Sequence, residues 1–170
     1  MANVTTTGLV AFQSSAIAVD GGFGTTFTEV GLVNADSVVL DTSDPELTQF
    51  FAEQVDDAVY ESSRKGTTTL ELDLGFADLA QIQKFLGGTI TGSGDDAVWN
   101  APLTPPNIEL SFKLVPTVGY VLNVVRGKVT AKITGGFIKT DNMKVHLLIT
   151  FLLPKKAATA PYFFTLVEAE

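Results

Sequence analysis

The segment Thr67–Gly88, TTTLELDLGFADLAQIQKFLGG, constrains the fold of this chain more than any other. Its first half alternates strictly, with Leu70, Leu72 and Leu74 set against Thr69, Glu71 and Asp73. Successive side chains of a strand point to opposite faces, so this pattern specifies a strand with one buried and one wet face. In the second half Phe76, Leu79, Ile82, Gln83 and Leu86 recur at helical spacing, which puts the apolar ones on one side of a helix of about Ala77–Leu86. Asp78 falls in the first turn, where a carboxylate suits the helix dipole. Gly87-Gly88 supply the left-handed stop.

The rest of the chain reads as β. Gly8–Val19 and Phe27–Val33 alternate loosely around a Gly21-Gly22-Phe23-Gly24 turn, and Ser37–Asp41 is a short β-branched run. Leu47–Ala52 reads either as a strand or as a single turn of helix. Val55–Gly66 is polar without period, an exposed loop of about a dozen residues, and loops of that length are usually functional or disordered. Thr91–Ala97 reads as a flexible loop and Ala101–Asn107 as a proline-stiffened one. Ile108, Leu110, Phe112 and Leu114 alternate with Glu109, Ser111 and Lys113. Tyr120–Val125 and Lys128–Thr134 look like a hairpin around Arg126-Gly127. Lys144–Leu153 reads as a long, largely buried strand, Pro154–Pro161 as a linker and Tyr162–Val167 as a last strand. About eight strands and one helix make a mainly β domain over residues 1–170, an antiparallel β-sandwich or barrel with one short flanking α-helix.

Little in the chain is arranged for chemistry. With no cysteine, disulfides and thiolate chemistry are excluded. The one histidine, His146, lies between Val145 and Leu147 inside a strand, where a structural role is expected rather than a place in a Ser-His-Asp set. Asp56-Asp57 and Asp95-Asp96 lack the spacing of an EF-hand loop. The Gly21–Gly24 turn lacks the Gly-Lys-Ser/Thr of a phosphate loop. No catalytic residue, cofactor or metal site is therefore expected, and the chain does not read as an enzyme. The net charge of −8 gives no basic footprint for specific nucleic-acid binding. The longest apolar run, Leu147–Pro154, is far short of the ~20 residues of a membrane helix. Yet 45% of residues are hydrophobic and only 18% charged. Such apolarity fits either a sheet apolar on both faces or a subunit partly covered by neighbours.

The order of features from Phe27 to Thr89 resembles the major tail (tail tube) proteins of long-tailed bacteriophages. The resemblance rests on Thr28-Glu29-Val30-Gly31, the run FFAEQVDDAVYESSRKG, the TTTLELDL strand and the helix LAQIQKFLGG that closes on two glycines. It covers about the first half of the chain. In that family a β-sandwich or barrel with a flanking helix closes hexameric rings, which stack into a tube that conducts DNA during ejection. The resemblance implies a structural virion protein, assembled in the host cytoplasm. Its partners would be its own copies and other tail proteins (tape measure, tail tip, terminator), with DNA passing and not specifically bound. It further implies that a long loop of about 43–66 reaches a neighbouring subunit or ring, with Phe50, Phe51, Asp56, Asp57, Tyr60, Glu61, Arg64 and Lys65 as candidate contacts. Thr69, Glu71 and Asp73, with Glu109 and Ser111, become candidate channel-lining residues. Lys113, Lys128 and Lys132 dilute the acidity of that wall if they share the face. A C-terminal arm is expected over about 154–170. Alternatives are another ring of a tail or contractile injection machine (terminator, baseplate hub) and a β-barrel ligand-binding module.

Overall fold

The computed structural model describes residues 5–75, 78–136 and 143–167. Among these the strands are β1 (Ala11–Ser15), β2 (Thr28–Glu29), β3 (Val39–Thr42), β4 (Glu46–Ala52), β5 (Val55–Arg64), β6 (Thr68–Gly75), β7 (Thr89–Thr91), β8 (Val98–Asn100), β9 (Ile108–Val115), β10 (Tyr120–Thr134), β11 (Lys144–Phe151) and β12 (Tyr162–Leu166). One α-helix, α1 (Leu79–Leu86), lies between β6 and β7. The fold is mainly β, with antiparallel pairing and a single short helix. Eight strands form the main sheet in the order β2-β1-β9-β10-β11-β6-β3, with β12 beside β10. The pairs β4-β5 and β7-β8 stand apart from it.

The chain from Thr28 to Asn34 bends the main sheet round. It is bonded first to β1, where the Val30 N–H donates to the Phe12 carbonyl at 2.9 Å. It then crosses to β6, where the Asn34 N–H donates to Asp73 at 2.8 Å and the Gly75 N–H to Leu32 at 3.0 Å. Strands that begin and end this sheet are thereby joined into a barrel. Leu70, Leu72 and Leu74 point inward, as their alternation requires, and meet Phe12, Phe112, Val124, Val145, Leu147 and Ile149. The Phe12 and Phe112 rings stack with centroids 5.6 Å apart.

Helix α1 adds Ile82 and Phe85 to this core. Asp78 is the N-cap of the helix and lies outside its first turn: its carboxylate accepts from the Gln81 N–H at 2.7 Å, while the Gln81 amide oxygen accepts from the Asp78 N–H at 3.3 Å. This reciprocal pair satisfies two otherwise orphaned helix donors. Gly87 and Gly88, at φ of +74° and +87°, end the helix, but Gly87 has ψ of −152° and so is not in the left-handed helical conformation expected. The Trp99 indole N–H, on β8, donates to the Gly87 carbonyl at 2.9 Å and ties the small β7-β8 hairpin over the helix end. Residues 91–97, expected as a flexible loop, are the connection of that hairpin and hold one turn of 3-10 helix at Gly94–Asp96. Phe76 and Ala77 lie outside the described residues.

Two further expectations are corrected. Residues 120–134 are one continuous strand, interrupted only by a register shift between Val124 and Gly127. Gly127 looks like a turn residue because it follows a charged side chain, yet its φ is not positive. A Cβ there would lie 2.6 Å from the Ile149 Cγ2 and 3.0 Å from the Phe112 ring. Glycine is therefore used to let strands and core approach, and the bulge re-aims Arg126. Strand β11 is buried on one face only: Val145, Leu147 and Ile149 are inside, while Lys144, His146, Leu148 and Thr150 are partly exposed. The last strand expected at Tyr162–Val167 is present as β12, which pairs with β10 from Tyr162 to Leu166, and ahead of it Lys156 binds Asp20 at 2.7 Å.

Candidate assembly surfaces

Residues 43–66, expected to be a loop, are a two-stranded hairpin. Strands β4 and β5 pair from Glu46↔Arg64 out to Ala52↔Val55, with register shifts near the tip. The root is clamped: the Ser43 N–H donates to the Thr67 carbonyl at 3.0 Å, and the Thr67 N–H donates to the Ser43 hydroxyl at 2.9 Å. Beyond the root every residue of β5 is exposed, and so is all of β4 but Ala52. Phe50 is 54% and Phe51 64% exposed, and Leu47, Val55, Val59 and Tyr60 are exposed as well. Phe50 and Tyr60 lie opposite each other with rings 5.8 Å apart. The register puts Phe51 on the opposite face, with its partner Ala58, so both faces carry aromatic surface.

The candidate contact residues thus separate by position. Phe50, Phe51, Asp56, Asp57, Tyr60 and Glu61 occupy the outer part of the hairpin, where Glu61 accepts from the Gln49 amide at 2.8 Å. Arg64 and Lys65 sit at the root, and the Lys65 ammonium lies 5.9 Å from the Tyr162 ring centroid of the same chain.

The outward face of the main sheet holds most of the candidate channel residues. Cross-strand partners share a face, and the register gives the rows Thr69↔Thr150↔Lys128↔Glu109, Glu71↔Leu148↔Thr130 and Asp73↔His146↔Lys132. Glu71 is exposed and Thr69 and Asp73 partly so. Ser111 is fully buried and is corrected as a lining residue: its hydroxyl donates to the Val125 carbonyl at 2.7 Å and accepts from the Gly24 N–H at 3.0 Å. The Gly21–Gly24 turn therefore covers that position. Lys128 and Lys132 share the face with Glu71 and Asp73, so that face is of mixed sign.

Sequence reading missed the ion pairs on this face. Glu109 receives Arg126 through both carboxylate oxygens, at 2.8 and 2.9 Å. That bidentate bond, with Lys155 and Lys128 nearby, holds the Glu109 carboxyl below its usual range and raises Arg126 further. Asp73 meets His146 Nδ1 at 2.8 Å and Lys144 Nζ at 3.9 Å. The polar spacing of Lys144, His146 and Thr150 was the available signal for a second wet strand. No serine hydroxyl bonds His146 among the described residues: Ser37, beside Asp73, donates instead to the Asn34 carbonyl at 2.8 Å.

A third surface is an open cleft of about 940 Å³ at one end of the barrel, lined by Leu32, Val38, Leu40, Leu70, Leu114, Tyr120, Leu122 and Phe164 among others. It joins the exposed edge strand β3 to exposed aromatics of β12. No family model and no curated protein matches this chain.

Proposed function

We propose that the chain is a self-assembling structural subunit, the tail tube protein of a long-tailed bacteriophage, whose hexameric rings stack into a DNA-conducting channel. The observation that carries this reading is the β4-β5 hairpin. A lone two-stranded hairpin is marginal in water, and this one extends exposed aromatic and aliphatic side chains on both faces, with no cover among the described residues of its own subunit. Such a patch is characteristic of an interaction surface. The exposed edge β3 and the apolar cleft point the same way, since a free strand edge invites pairing with another chain. In the assembled virion the hairpin would contact the adjacent ring, the outward sheet face would line the channel, and tape measure, tail tip and terminator proteins would meet the tube at its ends. A related ring, such as a terminator or baseplate hub, would use the same surfaces.

Negative-stain microscopy with light scattering tests the proposal. Rings or tubes are expected from concentrated protein, with or without a tail-tip nucleator. Persistent monomers under all these conditions would sink it. The cleft favours a second reading, a ligand-binding module. Saturable binding of an apolar dye by a monomer that never assembles would support that reading instead.

A further inference from the structure

The outward sheet face carries two clusters of basic side chains, each built around one carboxylate. Glu109 accepts from Arg126 Nε and Nη2, while Nη1 donates to the Leu153 carbonyl; Glu109 also has Lys128 as its cross-strand partner and feels Lys155 electrostatically. Asp73 holds His146 and Lys144, and Lys132 is the cross-strand partner of His146. Lys128 and Lys132 are four residues apart on β10, about 13 Å along a strand, so the clusters lie side by side. Among the described residues of this face Glu29, Asp41, Glu71, Asp73 and Glu109 stand against Lys113, Arg126, Lys128, Lys132 and Lys144, five against five. The chain as a whole has a net charge of −8. Its acidic excess therefore lies elsewhere.

We infer that Asp73 and Glu109 mask a cationic face, so that duplex DNA passes over it without being held. The choice of DNA rests on the tube reading, whereas the masking is a property of the subunit itself. Nonspecific affinity for DNA comes from cations that neutralise phosphates and release their counterions. A guanidinium already gripped by both oxygens of a carboxylate must break that pair before it meets a phosphate. Glu71 differs from the two masking residues. It makes no ion pair among the described residues, and its cross-strand partners are Val39 and Leu148.

Fluorescence anisotropy of a short labelled DNA duplex, titrated with the free subunit at low salt, separates masking from simple net charge. Wild type is expected to bind weakly. Glu109→Gln and Asp73→Asn should each tighten binding on the order of tenfold and steepen the salt dependence by about one phosphate contact. Glu71→Gln removes the same charge without freeing a cation and should change affinity by less than about twofold. Adding Lys128→Glu to Glu109→Gln should return binding to baseline. The two masking residues lie on different strands, so either variant, once circular dichroism shows it folded, decides the matter. The inference is overturned if a folded masking variant binds no better than wild type, or if Glu71→Gln matches it. The assay needs no rings. Absence of assembly in the microscope would sink the tube reading and leave this result standing.

Discussion

Gly127 shows how one residue type serves two ends. In sequence Arg126-Gly127 has the look of a turn between two alternating runs, and a turn would tolerate alanine at a position without positive φ. In the fold the missing side chain makes room for Ile149 and Phe112. Gly127→Ala should therefore destabilise the subunit by about 1–3 kcal/mol, the usual range for overpacking a core, and urea denaturation will measure it. An unchanged midpoint would restore the turn. Its neighbour Arg126 sets a pH dependence. The Glu109 carboxyl is lowered from its ordinary 4.5, chiefly by the Arg126 hydrogen bonds. A lowered carboxyl contributes stability that is fully present above its unfolded value and disappears as pH falls through the folded one. The stability gap between wild type and Glu109→Gln should be constant from neutral pH down to about 5, then close progressively below 4.5. Its size should be roughly 0.2–1 kcal/mol for so accessible a pair. A gap that instead widens in acid would contradict the assignment. Neither Glu109–Arg126 nor Asp73–His146 was legible in the sequence, because each pair joins different strands through register alone.

At the scale of elements, legibility followed burial. Strand β6 and helix α1 were readable because each buries one face, and one-sided burial is what writes a period into a sequence. Strand β5 carries no such period, and it read as a loop. Among the described residues nothing buries either side of it, so Val55, Val59 and Tyr60 are left among Asp56, Asp57 and Glu61 without alternation. The same fact predicts how the hairpin responds to mutation. Side chains that are exposed in the subunit contribute little to its stability, since surface substitutions usually fall within about 0.5 kcal/mol. Once docked, each large apolar side chain is worth about 1.5–3 kcal/mol of burial. Phe50→Ser with Phe51→Ser should leave the melting temperature of the free subunit almost unchanged, while the concentration needed for assembly rises at least about a hundredfold. Scanning fluorimetry and light scattering on the same sample will show both. A large loss of thermal stability without an assembly defect would make these aromatics part of the fold, not of an interface.

On the scale of the whole molecule, the barrel and the hairpin are separable bodies joined at a clamp. The core draws on β1, β6, β9, β10, β11 and α1, and no residue of β4 or β5 belongs to it. The chain leaves at Ser43 and returns at Thr67, two residues already bonded to each other at 2.9 and 3.0 Å. A deletion of residues 46–64 thus needs only a short turn to close a gap that the native backbone has already closed. Shortening a loop also lowers the entropy of closing it, though only slowly with length. The shortened chain should fold with its main-sheet hydrogen bonds intact. Protection of β10 and β11 amides against hydrogen exchange should match wild type. It should also remain monomeric at concentrations where wild type assembles, because the six exposed apolar side chains of the hairpin are gone while the barrel is untouched. Sizing chromatography and amide exchange together give a clear result. Wild-type assembly by the shortened chain would move the interface to the cleft and the β3 edge. Loss of core protection would mean that the hairpin helps to fold the barrel that carries it.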